Sequence, residues 1–216
     1  MTSLVIAIDG PSGAGKSTVA ALVAERLGLR TLDTGAMYRA VAWLAMREGI
    51  GIEDGSALAK LAEENPVAFS EGGVQIAGQD VSALIRTLEV GQAASRASTH
   101  PALRRALVAQ QRTVVSQGRW ILEGRDTTTV VVPDANVKVF LTASIEERAR
   151  RRWLQLRDEM PGHRLQEVVR DVVERDHRDY TRDDSPLELA EDAVIVETFG
   201  VSPQAVAEKI ASLSAG

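Results

Sequence analysis

Short apolar runs alternate with segments of helical spacing along most of the chain. Residues 4–8, 29–32, 120–122, 137–141 and 193–196 are apolar runs of a length typical of buried strands. Between them, apolar residues recur three and four positions apart, which predicts amphipathic helices. Alternating strands and helices favour a parallel sheet with helices on its faces. We therefore predict an α/β protein of three layers, in which a five-stranded parallel sheet is flanked by helices.

One segment departs from this alternation. Residues 67–69 and 74–76 form two short apolar runs around Glu71-Gly72-Gly73, and a third short run lies near Asp80-Val81. Apolar runs separated by a glycine-containing turn are typical of an antiparallel hairpin. We expect a small β-containing insertion here, over the crevice at the carboxyl ends of the parallel strands.

The first strand leads into a glycine-rich segment that matches the pattern G-x-x-x-x-G-K-[ST] and precedes a helix. Glycines let backbone N–H groups face phosphate oxygens, and the helix N-terminus adds partial positive charge. In such a loop, Lys16 bridges the β- and γ-phosphates of a nucleotide and the Ser17 hydroxyl binds Mg²⁺. The alternative is a glycine-rich turn that holds a lysine by chance, and the flanking strand and helix argue against it. The predicted ATP-binding residues are Gly10, Pro11, Ser12, Gly13, Ala14, Gly15, Lys16, Ser17 and Thr18.

Composition and charge narrow the classes of partner. The 216 residues suit one α/β domain with a small insertion, or two small domains. The 25 basic and 30 acidic residues give a net charge of −5, so we expect neither nucleic acid nor an anionic membrane as a partner. The chain has no cysteine, no apolar run near about 18 residues and no leader before its first strand. We expect a cytoplasmic monomer with small-molecule partners.

Carboxylates follow two of the predicted strands. Asp33 either holds a magnesium-bound water or caps the next helix. Glu123 and Asp126 flank Arg125 at the end of the third predicted strand, where they would serve a metal or a ribose. Acidic residues also favour turns at strand ends, so position alone leaves both interpretations open.

Two arginine-rich segments are candidates for neutralising phosphate charge. In the first segment, the arginines either pair with neighbouring acidic residues on a solvated helix face, or neutralise the negative charge that develops during phosphoryl transfer. A mobile helix bounded by Pro161-Gly162 would deliver that charge and expel water. In the second segment, Arg175, Asp179 and Arg182 have helical spacing, which fits either a binding face or a surface salt-bridge ladder. The arginines of the first segment are Arg148, Arg150, Arg151, Arg152 and Arg157.

Several segments together resemble the bacterial cytidylate kinases, which belong to the nucleoside-monophosphate kinase family of P-loop proteins. The first of them is shared by many nucleotide-binding proteins, but the combination is distinctive. They occur in the family's order and cover nearly the whole chain. The matching segments are 8–17, 32–39, 81–87, 123–126, 133–135 and 175–179.

The resemblance implies a division of the chain and a role for each matching residue. It implies a core of residues 1–36, 100–147 and 165–216, a monophosphate-binding insertion of about 37–99, and a lid of about 148–164. The implied catalytic residues are Lys16, Arg125, Asp126, Arg148 and Arg152. The residues implied to bind CMP are Thr34, Tyr38, Arg39, Ser95, Arg104, Arg125, Asp126, Arg175, Asp179 and Arg182. The metal site would use Ser17 and, indirectly, Asp33.

Two positions depart from the family pattern. Thr34 stands where the family usually has serine, which preserves the hydroxyl. Thr127-Thr128 replaces an apolar residue followed by glycine. If that glycine supplies a positive φ or a close approach to ligand, Thr128 must shift the loop or accept strain.

The resemblance implies transfer of the γ-phosphoryl group of ATP to CMP or dCMP, with Mg²⁺ as the cofactor. One alternative is a P-loop kinase for another nucleotide or a small metabolite. Another is a nucleotide-binding switch without useful turnover. The chain has no N-K-x-D guanine signature, which argues against a GTPase switch.

Overall fold

The computed structural model describes residues 3–70, 73–157, 162 and 164–214. All five predicted core strands are present. A π-helical turn at Thr127–Val131, which was not predicted, follows the third of these strands along the chain. The strands are β1 (Leu4–Asp9), β2 (Arg30–Asp33), β3 (Ala68–Ser70), β4 (Gly73–Ile76), β5 (Gln79–Asp80), β6 (Arg119–Gly124), β7 (Val137–Thr142) and β8 (Val194–Glu197). The helices are α1 (Lys16–Leu27), α2 (Thr34–Glu48), α3 (Gly55–Glu64), α4 (Leu88–Ala97), α5 (Pro101–Val115), α6 (Ile145–Leu156), α7 (Leu165–Thr181) and α8 (Pro203–Leu213).

The main sheet has the strand order β2-β6-β1-β7-β8, which confirms the predicted five-stranded sheet. Its central strand, β1, pairs in parallel with β6 and β7. Ile6, Ile8 and Ile121 have no exposed surface, because helices cover both faces of a parallel sheet. In this register Asp9, the last residue of β1, lies opposite Gly124 and Phe140. The end of β1 therefore lies at the centre of the sheet's carboxyl edge.

Strands β3, β4 and β5 form a separate antiparallel sheet, which confirms the predicted hairpin and its third strand. Gly73 opens β4 with φ 144°, and a Cβ there would lie 1.8 Å from the Ser82 hydroxyl. This position therefore requires glycine. The predicted turn residues Glu71 and Gly72 lie outside the described residues.

Close contacts divide the chain into two compact units. The first unit contains Met1–Thr31, Arg119–Thr181 and Ser185–Gly216, and the second contains Leu32–Gly118 and Arg182–Asp184. The second unit is larger than the predicted insertion of residues 37–99 because it includes α5, which packs along α3. Gln110 of α5, for example, donates a hydrogen bond of 2.8 Å to the Ala62 carbonyl.

Helices α6 and α7 pack against each other in the first unit through Ala149, Leu156, Val168 and Val172. The predicted lid of residues 148–164 includes most of α6. The predicted boundary of the lid is Pro161-Gly162. Pro161 lies outside the described residues, as do residues 158–160 and 163. None of the helices within residues 3–70, 73–157 and 164–214 combines the length and the apolar character that spanning a membrane requires.

Candidate active site

The glycine-rich segment forms a loop between β1 and α1, as predicted. Gly10, Gly13 and Gly15 have φ of 146°, 79° and 93°, values that side chains rarely adopt. A Cβ at Gly10 would lie 2.1 Å from the Leu141 carbonyl oxygen, so the loop also depends on close backbone packing. Gly15 precedes α1 and has no side chain to occupy the first N–H groups of that helix. These groups suit an anion such as a phosphate.

Lys16 is buried within this loop. Its Nζ donates to the carbonyl oxygens of Gly10 and Pro11 over 2.8 and 2.9 Å. Burial lowers the pKa of the Lys16 ammonium to about 7; the positive charge of Arg125 acts in the same direction, and Glu123 opposes it. A phosphate next to Lys16 would supply negative charge and favour the protonated form.

Asp9 is fully buried directly before the loop and binds both threonines of Thr127-Thr128. Its Oδ1 accepts from the Thr127 backbone N–H at 2.9 Å and from the Thr127 hydroxyl at 2.8 Å. Its Oδ2 accepts from the N–H and the hydroxyl of Thr128, both at 2.7 Å. Among the described non-glycine residues only Ala77 and Ser185 have positive φ, so Thr128 does not carry the expected backbone strain. The hydroxyls of the two threonines instead bind a buried carboxylate.

Arg125 pairs with Asp179 within the first unit. Its Nε donates to Asp179 Oδ2 over 2.8 Å, and both side chains are largely buried. Burial acts to lower the pKa of Arg125, but the charge of Asp179 and its hydrogen bond outweigh burial and raise that pKa. The pair therefore presents a fixed guanidinium.

Arg148 is bound on several sides rather than exposed on α6. Its Nε donates to the Ala143 carbonyl at 2.9 Å, and its Nη1 donates to the Ser12 carbonyl at 3.0 Å and to Asp176 at 2.6 Å. Only 4% of Arg148 is exposed. The predicted solvated face of α6 therefore does not include Arg148, which joins α6 and α7 to the phosphate loop.

The other arginines of α6 differ in their surroundings. Arg151 donates to Glu147 over 2.8 Å and to the Thr198 hydroxyl over 2.9 Å. Arg150 also donates to Glu147. These pairs match the predicted alternative of local ion pairing along the helix. Arg152 is half-buried and donates to Gln155 at 3.4 Å.

In the second unit, Asp33 caps α2. Its Oδ1 accepts from the Ala36 backbone N–H at 2.9 Å, and its Oδ2 accepts from Arg39 at 2.6 Å. The structure thus shows the capping role for Asp33. Thr34 follows as the first residue of α2 and is buried.

Arg104 is the largest fully buried side chain of the second unit. Its guanidinium lies 5.4 Å from the centre of the Tyr38 ring, and its Nη1 donates to the Ser98 carbonyl at 3.1 Å. Its Nε lies 3.8 Å from a carboxylate oxygen of Asp184. The aromatic ring, the carbonyl and the carboxylate fix the orientation of the guanidinium.

The predicted site residues divide between the two units. The nucleotide-loop residues belong to the first unit with Arg125, Asp126, Arg148, Arg152, Arg175 and Asp179. The second unit contains Asp33, Thr34, Tyr38, Arg39, Ser95, Arg104 and Arg182. Arg182 lies one residue beyond the end of α7, so it does not continue the helix face of Arg175 and Asp179.

Sequence reasoning missed Asp9, Asp176 and Asp184 as partners of site residues. Asp176 lies three residues before Asp179 on α7, and both are buried, so helical spacing is a signal that could have identified it. Asp9 and Asp184 gave no such signal, because their partners are distant in sequence.

Magnesium fits the site as an ion that arrives with a nucleotide. Within the described ranges no group of three His, Cys, Asp or Glu side chains is arranged to hold a metal. Ser17 is exposed beside the phosphate loop, so its hydroxyl is accessible to an ion bound to phosphates. Mg²⁺ commonly takes one or two protein ligands together with substrate phosphates and water.

The chain is similar to known proteins over most of its length. The chain is 44% identical over 214 residues to a cytidylate kinase from Listeria welshimeri, covering 98% of this chain and 96% of that protein. It is 47% identical to a bifunctional pantoate ligase/cytidylate kinase from Nostoc sp., covering 95% of this chain and 40% of that protein. A gluconokinase structure from Sinorhizobium meliloti has a TM-score of 0.50 at 16% identity, covers 98% of this chain and 92% of that chain, and shares the fold.

The family assignment extends over nearly the whole chain. Residues 6–215 match the family described as cytidylate kinase. This range includes the phosphate loop, the Arg125–Asp179 pair and the second unit with Arg104. The chain belongs to the cytidylate kinase family.

Proposed function

We propose that this chain transfers the γ-phosphoryl group of Mg-ATP to CMP or dCMP and so produces CDP or dCDP. The observation that carries this proposal is the loop between β1 and α1, which buries Lys16, in a chain that belongs to the cytidylate kinase family. The acceptor phosphate is an anion at neutral pH. Alignment and charge neutralisation can therefore drive the reaction without a strong general base.

The first unit would bind ATP and neutralise charge on the transferred group. Backbone N–H groups of residues 10–18 would hold the phosphates, and Lys16 would bridge the β- and γ-phosphates. Ser17 would hold Mg²⁺, and the bound ion would neutralise negative charge on the phosphate oxygens. Arg125, held by Asp179, would face the acceptor phosphate with its guanidinium already oriented.

The arginines of α6 would have different roles. Arg148 is bound to the Ser12 carbonyl and to Asp176, so we propose that it supports the phosphate loop in a fixed position. Arg152 has a half-buried side chain, and we propose that it neutralises charge on ATP within a lid of about residues 148–164.

The second unit would select the base. Cytosine presents an amino donor beside two acceptors, whereas uracil presents a carbonyl beside an N–H donor. Arg104 carries only donors, so it suits the ring nitrogen and carbonyl of cytosine. Ser95 and Arg182 are buried in the same unit and would complete the site for base and sugar, while Thr34, Tyr38 and Arg39 would hold the phosphate side. Asp126, Arg175 and Asp179 of the first unit would contact the phosphate and ribose.

Phosphorus NMR of the purified protein with Mg-ATP and CMP tests the reaction directly. The proposal predicts equal amounts of CDP and ADP, with both products lost when CMP is omitted. Formation of inorganic phosphate and ADP without CDP would identify an ATPase instead. ATP binding without any acceptor-dependent product would identify a binding protein.

A further inference from the structure

Asp9 forms four hydrogen bonds with two consecutive residues and has no exposed surface. Each carboxylate oxygen accepts one backbone N–H and one hydroxyl. Thr127 and Thr128, which supply these donors, are themselves only 0% and 2% exposed. Both hydroxyls therefore bind Asp9 away from bulk water.

This cluster, Asp9 with Thr127 and Thr128, joins the two segments that would carry the chemistry. Asp9 directly precedes Gly10 of the phosphate loop, and Thr127 directly follows Arg125-Asp126. Parallel pairing of β1 with β6 places Asp9 opposite Gly124, at the start of the same turn. A shift of the Thr127-Thr128 turn would therefore move Arg125 relative to Lys16.

The four hydrogen bonds to Asp9 oppose the effect of its burial. Hydrogen bonds donated to a carboxylate stabilise its charged form. Burial raises the pKa of Asp9 above its ordinary value; the bonds from Thr128 and Thr127 act in the opposite direction, and the negative charge of Asp126 acts with burial. A backbone with glycine or an apolar residue at these positions would keep the two N–H donors but would lose both hydroxyls.

We propose that Thr127 and Thr128 are positioning residues for phosphoryl transfer, whose hydroxyls hold the Arg125-Asp126 turn in register with the phosphate loop through Asp9. This inference rests on the proposed function. Neither hydroxyl belongs to a residue that we propose to bind a nucleotide. Loss of a hydroxyl should therefore affect the alignment of the reacting groups rather than the affinity for substrate. The expected signature is a lower kcat with little change in KM.

Paired substitutions isolate the hydroxyl. Thr128→Ser and Thr128→Ala both remove the methyl group, and only alanine removes the oxygen. Thr129 is the matched control, since its hydroxyl is buried in the same π-helical turn and has no partner among the described residues. The same serine and alanine pair at Thr127 and Thr129 completes the set. Circular dichroism and urea unfolding give the folded fraction to which each kcat is normalised.

We expect Thr128→Ser to retain kcat within about threefold of the parent. Thr128→Ala should lose about tenfold to hundredfold in kcat, which corresponds to leaving a buried acceptor without one of its donors. KM for ATP and CMP should change by less than about threefold. Thr129→Ser and Thr129→Ala should have nearly the same kcat. In an Asp9→Asn background the additional loss from Thr128→Ala should largely disappear, because the two residues act together.

Equal kcat for the serine and alanine variants at both Thr127 and Thr128 would overturn the proposal. A loss of the same size at Thr129 would also overturn it. If the double alanine variant does not fold, the single variants decide, since each retains three of the four bonds to Asp9. CMP-dependent turnover of the parent protein is measured before any variant. Its absence would refute the proposed function itself.

Discussion

Arg148 Nη1 donates to Asp176 Oδ2 over 2.6 Å, and the two side chains are 5% and 11% exposed. The same guanidinium nitrogen donates to the Ser12 carbonyl in the phosphate loop. A Cβ at Gly13 would lie 2.8 Å from the Arg148 carbonyl oxygen, so the loop packs directly on this part of α6. The position of the loop thus depends on an ion pair between α6 and α7.

Removing Asp176 should destabilise the protein strongly. Asp176→Ala leaves Arg148 buried without its carboxylate, and breaking a buried pair in this way costs about 3–5 kcal/mol. Urea unfolding followed by circular dichroism measures the loss. Glu174→Ala on the same helix is the control, because Glu174 is 69% exposed in its pair with Arg178 and an exposed pair contributes about 0–1 kcal/mol. Similar losses for the two variants would contradict the structural role of Arg148.

Substitution of Lys16 should slow phosphoryl transfer strongly. Lys16→Ala removes the one ammonium within the phosphate loop, and we expect kcat to fall by about 100-fold to 1,000-fold, as for other groups that stabilise transition-state charge. Steady-state ADP release measures the change. Lys60→Ala serves as the control, because Lys60 is exposed on α3 and pairs only loosely with Glu64 at 3.7 Å. A Lys16→Ala variant with near-parental kcat would show that Lys16 of the phosphate loop does not take part in phosphoryl transfer.

A methyl group at Gly13 should disrupt the loop. Gly13 has φ 79°, and a Cβ would meet the Arg148 backbone and Cβ at 2.8 and 2.9 Å. Gly13→Ala should therefore weaken ATP binding at least tenfold, which calorimetric titration measures. Gly91→Ala is the control: Gly91 lies within α4 with open space around its Cα, and alanine there should stabilise by about 0.5–1 kcal/mol. Unchanged ATP affinity in Gly13→Ala would contradict the observed packing.

Arg104 should determine discrimination between cytosine and uracil. Arg104→Met removes the buried donors, so kcat/KM for CMP should fall and the preference for CMP over UMP should shrink by about ten- to hundredfold. Arg105→Met is the control. Arg105 is the next residue of α5 but is exposed, so its loss should leave the CMP-to-UMP preference unchanged. An Arg104→Met variant that retains the parental CMP-to-UMP ratio would show that the base is selected elsewhere.

Glu147 should make stability depend on pH at the acidic end. Hydrogen bonds from Arg150, followed by those from Arg151, lower the pKa of Glu147 to about 2, from an ordinary value of 4.5. A depressed carboxyl pKa stabilises the folded state fully above pH 4.5, and this contribution is lost as pH falls towards 2. The stability difference between the parent and Glu147→Gln, from urea unfolding, should therefore shrink across this interval. A constant difference between pH 6 and pH 3 would contradict the assignment.

Much of the fold is encoded in local patterns. Apolar runs identified the five core strands, because strands of a parallel sheet covered on both faces are rich in apolar residues. The phosphate loop was recognisable because its glycines and Lys16 have a fixed spacing that the chemistry requires. The antiparallel hairpin was recognisable from its glycine-containing turn.

The partners of the charged residues were not predictable in the same way. Asp9 binds Thr127 and Thr128 across a separation of 118 and 119 residues, which only the register of β1 and β6 brings together. Arg125 likewise pairs with Asp179 across 54 residues. Local spacing predicts neighbours on one helix, whereas these contacts depend on how strands and helices pack. From the sequence, Thr128 was expected to shift the loop or to accept strain. In the structure its hydroxyl binds a buried carboxylate.

Competition among acceptors in one reaction measures the proposed substrate preference. The protein receives limiting Mg-ATP with equal concentrations of CMP, dCMP and UMP, and the diphosphates formed are separated and quantified, so their ratio gives the ratio of kcat/KM. We expect CDP and dCDP together to form nearly all of the product in the parent, and UDP to form a larger share in Arg104→Met. A parent that makes mainly UDP, or that phosphorylates none of the three acceptors, would contradict the proposed function.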